Sequence, residues 1–223
     1  MKVLFIGNSA TYVHEIPKTL ERLALAAGEV LEVEQITAGG LELSQHADPQ
    51  SVHGKKVIEA LDRRCFDYVF LQEHGNCIIS DEKRMACANA CRRLIQKVRA
   101  SGATPGFYVR PPYGKDNGGY NSLAQCERLD ALFGELSREN GGVLCVHANR
   151  LFERAIRETS IPMWGEDNGH TSLQGAYLII CGFFIALFHR SATCLEANGL
   201  DESDAKTLQH LADRLFGNPS EKS

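Results

Sequence analysis

Short apolar runs alternate with longer amphipathic ones along the chain. Residues 2–6, 30–36, 68–72, 106–109 and 143–147 are rich in Val, Ile, Leu, Phe and Tyr and are bounded by Gly, Asp or Pro, which predicts five strands. Residues 16–27, 53–64, 82–100, 122–139, 149–158, 171–189 and 202–216 read as helices. Within 82–100, Met85, Ala88, Cys91, Leu94, Ile95 and Val98 recur at the spacing of one buried helix face. Strands and helices that alternate in this way predict an α/β fold, a single three-layer α/β/α domain with a central parallel sheet of flavodoxin-like type. No linker, internal repeat or break in composition divides the chain, so the domain is expected over 1–216, with 217–223 as a flexible tail.

In an open parallel sheet the binding crevice lies beyond the carboxyl ends of the strands. Gly7-Asn8-Ser9, Ala38-Gly39-Gly40, Glu73-His74-Gly75-Asn76 and Arg110-Pro111-Pro112-Tyr113 all follow predicted strands and should meet there.

Composition narrows the functional classes. The 223 residues are 43% hydrophobic and 23% charged, with a formal net charge of -4 and no block of Lys and Arg, so nucleic acid is not expected as a partner. The longest apolar stretch, 176–188, contains Cys181 and Gly182 and stops at His189-Arg190. It falls short of the roughly 18 consecutive apolar residues of a membrane span and reads as a buried helix, so no membrane partner is expected. The amino-terminal strand carries Gly-Asn-Ser and lacks the architecture of an export signal, which makes the cytoplasm the expected location. Several of the eight cysteines lie inside predicted strands and helices, and only Cys87 and Cys91 share a helix face. Reduced structural thiols are therefore expected, with no metal and no cofactor.

Two chemistries compete for the first loop. A phosphate-cradling turn needs several glycines, or a Gly-Lys-Ser/Thr ending, and Gly7-Asn8-Ser9-Ala10-Thr11-Tyr12 supplies one glycine followed by larger side chains. A nucleophilic serine needs a base and a third group to orient that base. Asp167-Asn168-Gly169-His170 provides both, with a glycine to turn the backbone so that the Asp167 carboxylate can reach Nδ1 of His170. Taken singly, Asp-Asn-Gly is also an ordinary turn, and Thr171 or Ser172 an ordinary helix cap.

In combination these blocks resemble the SGNH (GDSL-like) hydrolase superfamily, and Leu4-Phe5-Ile6-Gly7-Asn8-Ser9-Ala10-Thr11-Tyr12 is similar to a subgroup with Gly-Asn-Ser-x-Thr. The resemblance implies Ser9 as nucleophile, His170 as base and Asp167 as its partner. It also implies a backbone oxyanion donor in Ala38-Gly39-Gly40, of which Gly40 is favoured. For the side-chain donor, Asn76 and Gln72 compete, because Cys77 stands where the family has Asp after its asparagine. Asn8 stands where many members carry Asp.

The expectation is a serine ester hydrolase that needs no cofactor. With no greasy lid-like segment in view, it should act on a small acyl group, acetyl above all, carried by a polar or carbohydrate-like alcohol. His14, His46 and His74 could face the cleft, and Trp164 could form a wall of it. Arg110 to Gly114 should line the entrance, whereas Asp116-Asn117-Gly118-Gly119 reads as a mobile turn. A non-catalytic ligand-binding domain of the same fold and a flavodoxin-like nucleotide- or flavin-binding domain are the alternatives. The oligomeric state is not legible.

Overall fold

The computed structural model describes residues 1–217. Its strands are β1 (Lys2–Gly7), β2 (Glu32–Thr37), β3 (Tyr68–Leu71), β4 (Thr104–Val109) and β5 (Leu144–His147). They form one sheet of five strands in the order β2-β1-β3-β4-β5, every pair parallel. The helices in chain order are α1 (Ser9–Tyr12), α2 (Ile16–Ala26), α3 (Leu43–Ala47), α4 (Val52–Asp62), α5 (Asp81–Ala100), α6 (Ser122–Glu139), α7 (Ala148–Glu158), α8 (Leu173–Phe188) and α9 (Glu202–Phe216). Of the expected tail, Gly217 follows α9, and 218–223 lie outside the described residues.

The period-two alternation of the strands sends successive side chains to opposite faces of the sheet. Val3 and Phe5 of β1, Phe70 of β3 and Tyr108 of β4 enter one core with α2, α7, α8 and α9. Leu4, Ile6, Val69, Leu71, Phe107 and Val109 enter the other with α3, α4, α5 and α6. Both faces are covered, as an all-parallel sheet requires. Phe183 of α8 anchors the first core, its ring 5.2 Å from Phe5, 5.0 Å from Phe70 and 5.2 Å from Tyr108. That packing accounts for the apolar run noted in the sequence: α8 is buried along almost its whole length, and no helix among the described residues is long and apolar enough to cross a membrane.

The chain runs from β1 outward to β2 and then returns to the other side of β1 for β3. This reversal opens the crevice between the loops that follow β1 and β3.

Candidate active site

The first loop is built as a tight strand-to-helix turn. Asn8 caps α1, its Oδ1 accepting the Ala10 N–H at 3.1 Å, and this places Ser9 at the first helical position. The turn rests on Gln72, a residue 1% exposed. Gln72 Oε1 accepts from the Asn8 N–H at 2.8 Å and from the Thr11 hydroxyl at 2.9 Å, and its Nε2 donates to the Glu73 carbonyl at 2.5 Å. A Cβ on Gly7 would stand 2.7 Å from Thr11 Oγ1 and 2.5 Å from Gln72 Oε1, so only glycine lets the strand end this close to its support. From the other core, Tyr108 donates its hydroxyl to the Ala10 carbonyl at 3.0 Å.

The loop after β2 is fastened to the same turn. Asn8 Nδ2 donates to the Leu41 carbonyl at 2.8 Å, and the Leu43 N–H donates to Glu73 at 3.0 Å. Gly40, in the left-handed region at φ +71°, is exposed and borders the cleft. Glu73 also receives the His74 N–H at 2.6 Å. Burial pushes its carboxyl up to about 7, against the pull of those two backbone donors.

Across the crevice, Asp167 and His170 lie on one compact turn. Asp167 Oδ1 accepts the N–H groups of Gly169 (2.9 Å) and His170 (3.0 Å), and Oδ2 lies 2.6 Å from His170 Nδ1. The backbone donors of His170 and Gly169, followed by the His170 ring, hold the Asp167 carboxyl far below the ordinary carboxylate range. Asn168 takes the left-handed conformation between them, at φ +51°. His170 Nε2 faces Ser9 Oγ at 3.0 Å, so Asp167, His170 and Ser9 form one hydrogen-bonded chain. The turn is tied to its surroundings by Gly114 N–H to the Asn168 carbonyl (2.9 Å), Lys115 Nζ to the Asp167 carbonyl (3.2 Å) and His14 Nε2 to the Thr171 carbonyl (2.8 Å).

The cleft has a volume of about 420 Å³ and is bordered by Ser9, His170, Gly40, Asn76, His74 and Arg110, among others. Asn76 therefore borders the same cleft as Ser9, but Gln72 does not. Its amide lies buried under the turn with both ends engaged, and this corrects the expectation that it could donate to an oxyanion.

His46 and Trp164 also fall outside the cleft. His46 is 1% exposed, its Nε2 donating to the Gly7 carbonyl at 3.0 Å and its Nδ1 without a partner among the described residues. Burial lowers its pKa to about 4, so the ring is neutral and braces the end of β1 instead of touching substrate. Trp164 donates from Nε1 to the Pro112 carbonyl at 2.9 Å and packs edge-on against Phe152, clamping the Arg110–Gly114 loop to the Asp167 turn from behind.

His74 does reach the cleft. Its Nδ1 accepts the Asn76 N–H at 3.3 Å, and its Nε2 lies 3.5 Å from the Tyr113 hydroxyl. His14, by contrast, is exposed, and its ring is spent on the Thr171 carbonyl. The 116–119 stretch is not the free turn that its composition suggested. Asp116 and Asn117 border the cleft, and Asn117 Nδ2 holds the Gly75 carbonyl at 3.1 Å. Lys115 and Asn117 had no local signature beyond their place after β4.

No family model and no curated protein matches the sequence. Several solved structures match in fold. A DUF4886 family protein from Bacteroides uniformis is 17% identical, with 98% of this chain and 95% of that one aligned at a TM-score of 0.81. A protein from Slackia heliotrinireducens, provisionally assigned to the SGNH hydrolases, is 23% identical over 82% of this chain and 96% of its own, with a TM-score of 0.69. Axe2, an acetylxylan esterase from Geobacillus stearothermophilus, is 15% identical over 84% and 94% of the two chains at 0.63. These likenesses show that the chain shares the fold of structures that include SGNH hydrolases and acetylxylan esterases.

Proposed function

We propose that the protein is a serine ester hydrolase of the Gly-Asn-Ser-x-Thr type, which removes a small acyl group, acetyl above all, from a polar or carbohydrate-like alcohol. The observation that carries this reading is the unbroken chain from Asp167 Oδ2 through His170 (2.6 Å) to Ser9 Oγ (3.0 Å). A serine hydroxyl becomes nucleophilic when a neutral imidazole accepts its proton as it attacks, and the imidazole must present the correct nitrogen. Asp167, held ionised, fixes the proton of His170 on Nδ1 and leaves Nε2 free to take the Ser9 proton.

Ser9 Oγ then bonds to the ester carbonyl carbon, and negative charge moves to the carbonyl oxygen. The Ser9 and Gly40 N–H groups and the Asn76 amide stabilise that oxygen. Such donors act because they are already in place when the charge develops, and one of them contributes roughly 2.7–4 kcal/mol in comparable hydrolases. His170 returns the proton to the departing alkoxide, which leaves as the alcohol. Water, deprotonated by His170, attacks the acyl-serine; the bond to Ser9 Oγ breaks, His170 returns the proton to that oxygen, and the carboxylic acid is released. The fold shared with an acetylxylan esterase and the polar lining of the cleft support the small-acyl, polar-alcohol preference.

The test is hydrolysis of 4-nitrophenyl acetate against longer acyl esters by the wild type, Ser9→Ala and His170→Ala, beside labelling of Ser9 by a fluorophosphonate. Turnover of acetate by the wild type, a fall of orders of magnitude in both variants and labelling confined to proteins that retain Ser9 are expected. Equal trace rates in all three proteins with no labelling would overturn the reading.

A further inference from the structure

One cation in the cleft has no counterpart in the mechanism above. Arg110, at the carboxyl end of β4, is 4% exposed and yet borders the cleft. Its Nε donates to the Pro111 carbonyl at 2.8 Å, and its guanidinium lies 3.9 Å from the centre of the Tyr113 ring. Among the described residues it forms no ion pair, and its terminal nitrogens have no hydrogen-bond acceptor. Burying a guanidinium without an anion is costly, and one carbonyl and one aromatic face satisfy only part of its five donors.

The carboxylates that share the cleft do not supply the missing partner. Asp167 is consumed by His170 and the turn backbone, and Asp116 stands exposed at the rim. Glu73 lies below the floor, held by the Leu43 and His74 N–H groups. The charge of Arg110 is felt inside the cleft: burial first, and then Arg110, hold His74 below its ordinary pKa, so that this neighbour adds no second fixed cation.

From the unpaired Arg110 fork in the cleft that Ser9 also borders, the geometry points to a substrate that carries a carboxylate of its own, seated on Arg110 while the ester lies at Ser9. Stacking on Tyr113 fixes the guanidinium plane, and a planar fork matches a carboxylate edge to edge. Lys115, the other cation that lines the cleft, is exposed and donates to the Asp167 carbonyl. Arg110 is thus left as a single buried cation, which suits one negative charge better than the two of a phosphate monoester. Because the ester at Ser9 belongs to the proposed hydrolase reading, this inference rests on that reading, and its test separates the two.

Binding is measured by calorimetry on Ser9→Ala, which cannot turn the ligand over, and hydrolysis is followed separately on the wild type. The probes are 4-acetoxybenzoate, with the anion on the alcohol side, and mono-4-nitrophenyl glutarate, with the anion on the acyl side. Each is compared with its own methyl ester. One of the acids should bind about ten- to a hundredfold tighter than its methyl ester, as charge-assisted hydrogen bonds to a buried guanidinium predict. The advantage should vanish in Ser9→Ala/Arg110→Gln and persist in part in Ser9→Ala/Arg110→Lys, with melting curves reporting that each variant is folded. Equal or undetectable binding of acids and methyl esters by Ser9→Ala, or an advantage that survives Arg110→Gln, would overturn the inference. That first comparison needs no Arg110 variant to fold. Arginine-dependent binding in a protein whose wild type hydrolyses none of the esters would leave the carboxylate site standing and remove the hydrolase reading.

Discussion

Asn8 Nδ2 donates to the Leu41 carbonyl at 2.8 Å, joining the turn that bears Ser9 to the loop that carries Gly40. An ionised aspartate at this position has no proton to offer that carbonyl, so the Asn8 amide makes a tie that a carboxylate cannot. Asn8→Asp would set a carboxylate, 1% exposed in its surroundings, against a carbonyl oxygen. The expected cost is about 2–4 kcal/mol at pH 8, smaller at pH 5 where the new group can protonate, measured as the difference in urea unfolding between the two pH values.

Gln72 and Asn76 should respond in opposite ways. Gln72→Ala strands the buried Asn8 N–H and Thr11 hydroxyl, and should lower stability by about 1–3 kcal/mol. Asn76→Ala removes a donor from the cleft, and should lower kcat roughly 10²–10³-fold with little change in melting temperature. Paired melting and ester kinetics on the two variants check this. A stable but inactive Gln72→Ala together with a fully active Asn76→Ala would reverse the assignment.

Asp167→Asn keeps an oxygen to accept the Gly169 and His170 N–H groups, so the turn should survive. The amide no longer favours the Nδ1–H tautomer of His170, and kcat should fall by about 10²–10⁴-fold while fold and substrate binding stay near wild type. Single-turnover acylation is the direct readout.

The pH dependence of stability contains two opposed contributions. Glu73, raised to about 7 in the folded protein against an ordinary 4.5, holds its proton more tightly when folded, so stability falls as pH rises from 4.5 towards 7. His46, lowered to about 4 against 6.5, is proton-poor when folded, so its contribution is complete above pH 6.5 and is lost as pH falls towards 4. Across the window from pH 4.5 to 6.5 each amounts to about 2–3 kcal/mol, and they should nearly cancel. Denaturant unfolding should show Glu73→Gln gaining stability as pH rises through this window and His46→Gln losing it.

Gly7→Ala should cost about 1–3 kcal/mol through overpacking, since the added methyl meets Thr11 and Gln72 with no room to retreat. Thermal melting of Gly7→Ala beside Gly40→Ala separates this crowding from the backbone strain expected where φ is positive, because nothing stands near a Cβ at Gly40.

Much of this architecture was legible in the sequence because the long elements carry a periodic signal. The alternation of Val3 and Phe5 with Leu4 and Ile6 maps onto two separate cores, and the α5 and α6 faces follow their three-and-four spacing except at Met85, which lies beyond the buried stretch of α5 and is 61% exposed. Elements of four or five residues, α1 and α3, are too short to show a period. The start of β4 was placed late because Pro105 reads as a boundary; the β4–β5 pairing begins only at Gly106, so the missing N–H of the proline costs no ladder bond there.

Strand ends were enough to bring Ser9, Gly40 and Asn76 to one crevice, which the Asp167–His170 turn before α8 also borders. Sequence could not separate residues that line a cleft from those that hold up its floor. Gln72, His46 and Trp164 are polar or amphipathic neighbours of that crevice in sequence, and their side chains point into the scaffold. Only the packing of one core against the ends of β1 and β3 decides that.

The side-chain hydrogen bonds of Asp167 close within four residues, all of them on the turn that also bears His170. Carboxylate and imidazole therefore travel as one unit. A shift of the 165–171 segment carries both together, so that within the Asp167–His170–Ser9 chain the length it alters is the gap to Ser9. The Ser9–His170 separation is then a single coordinate, set by how firmly Gly114, Lys115 and His14 moor that segment to the rest of the molecule.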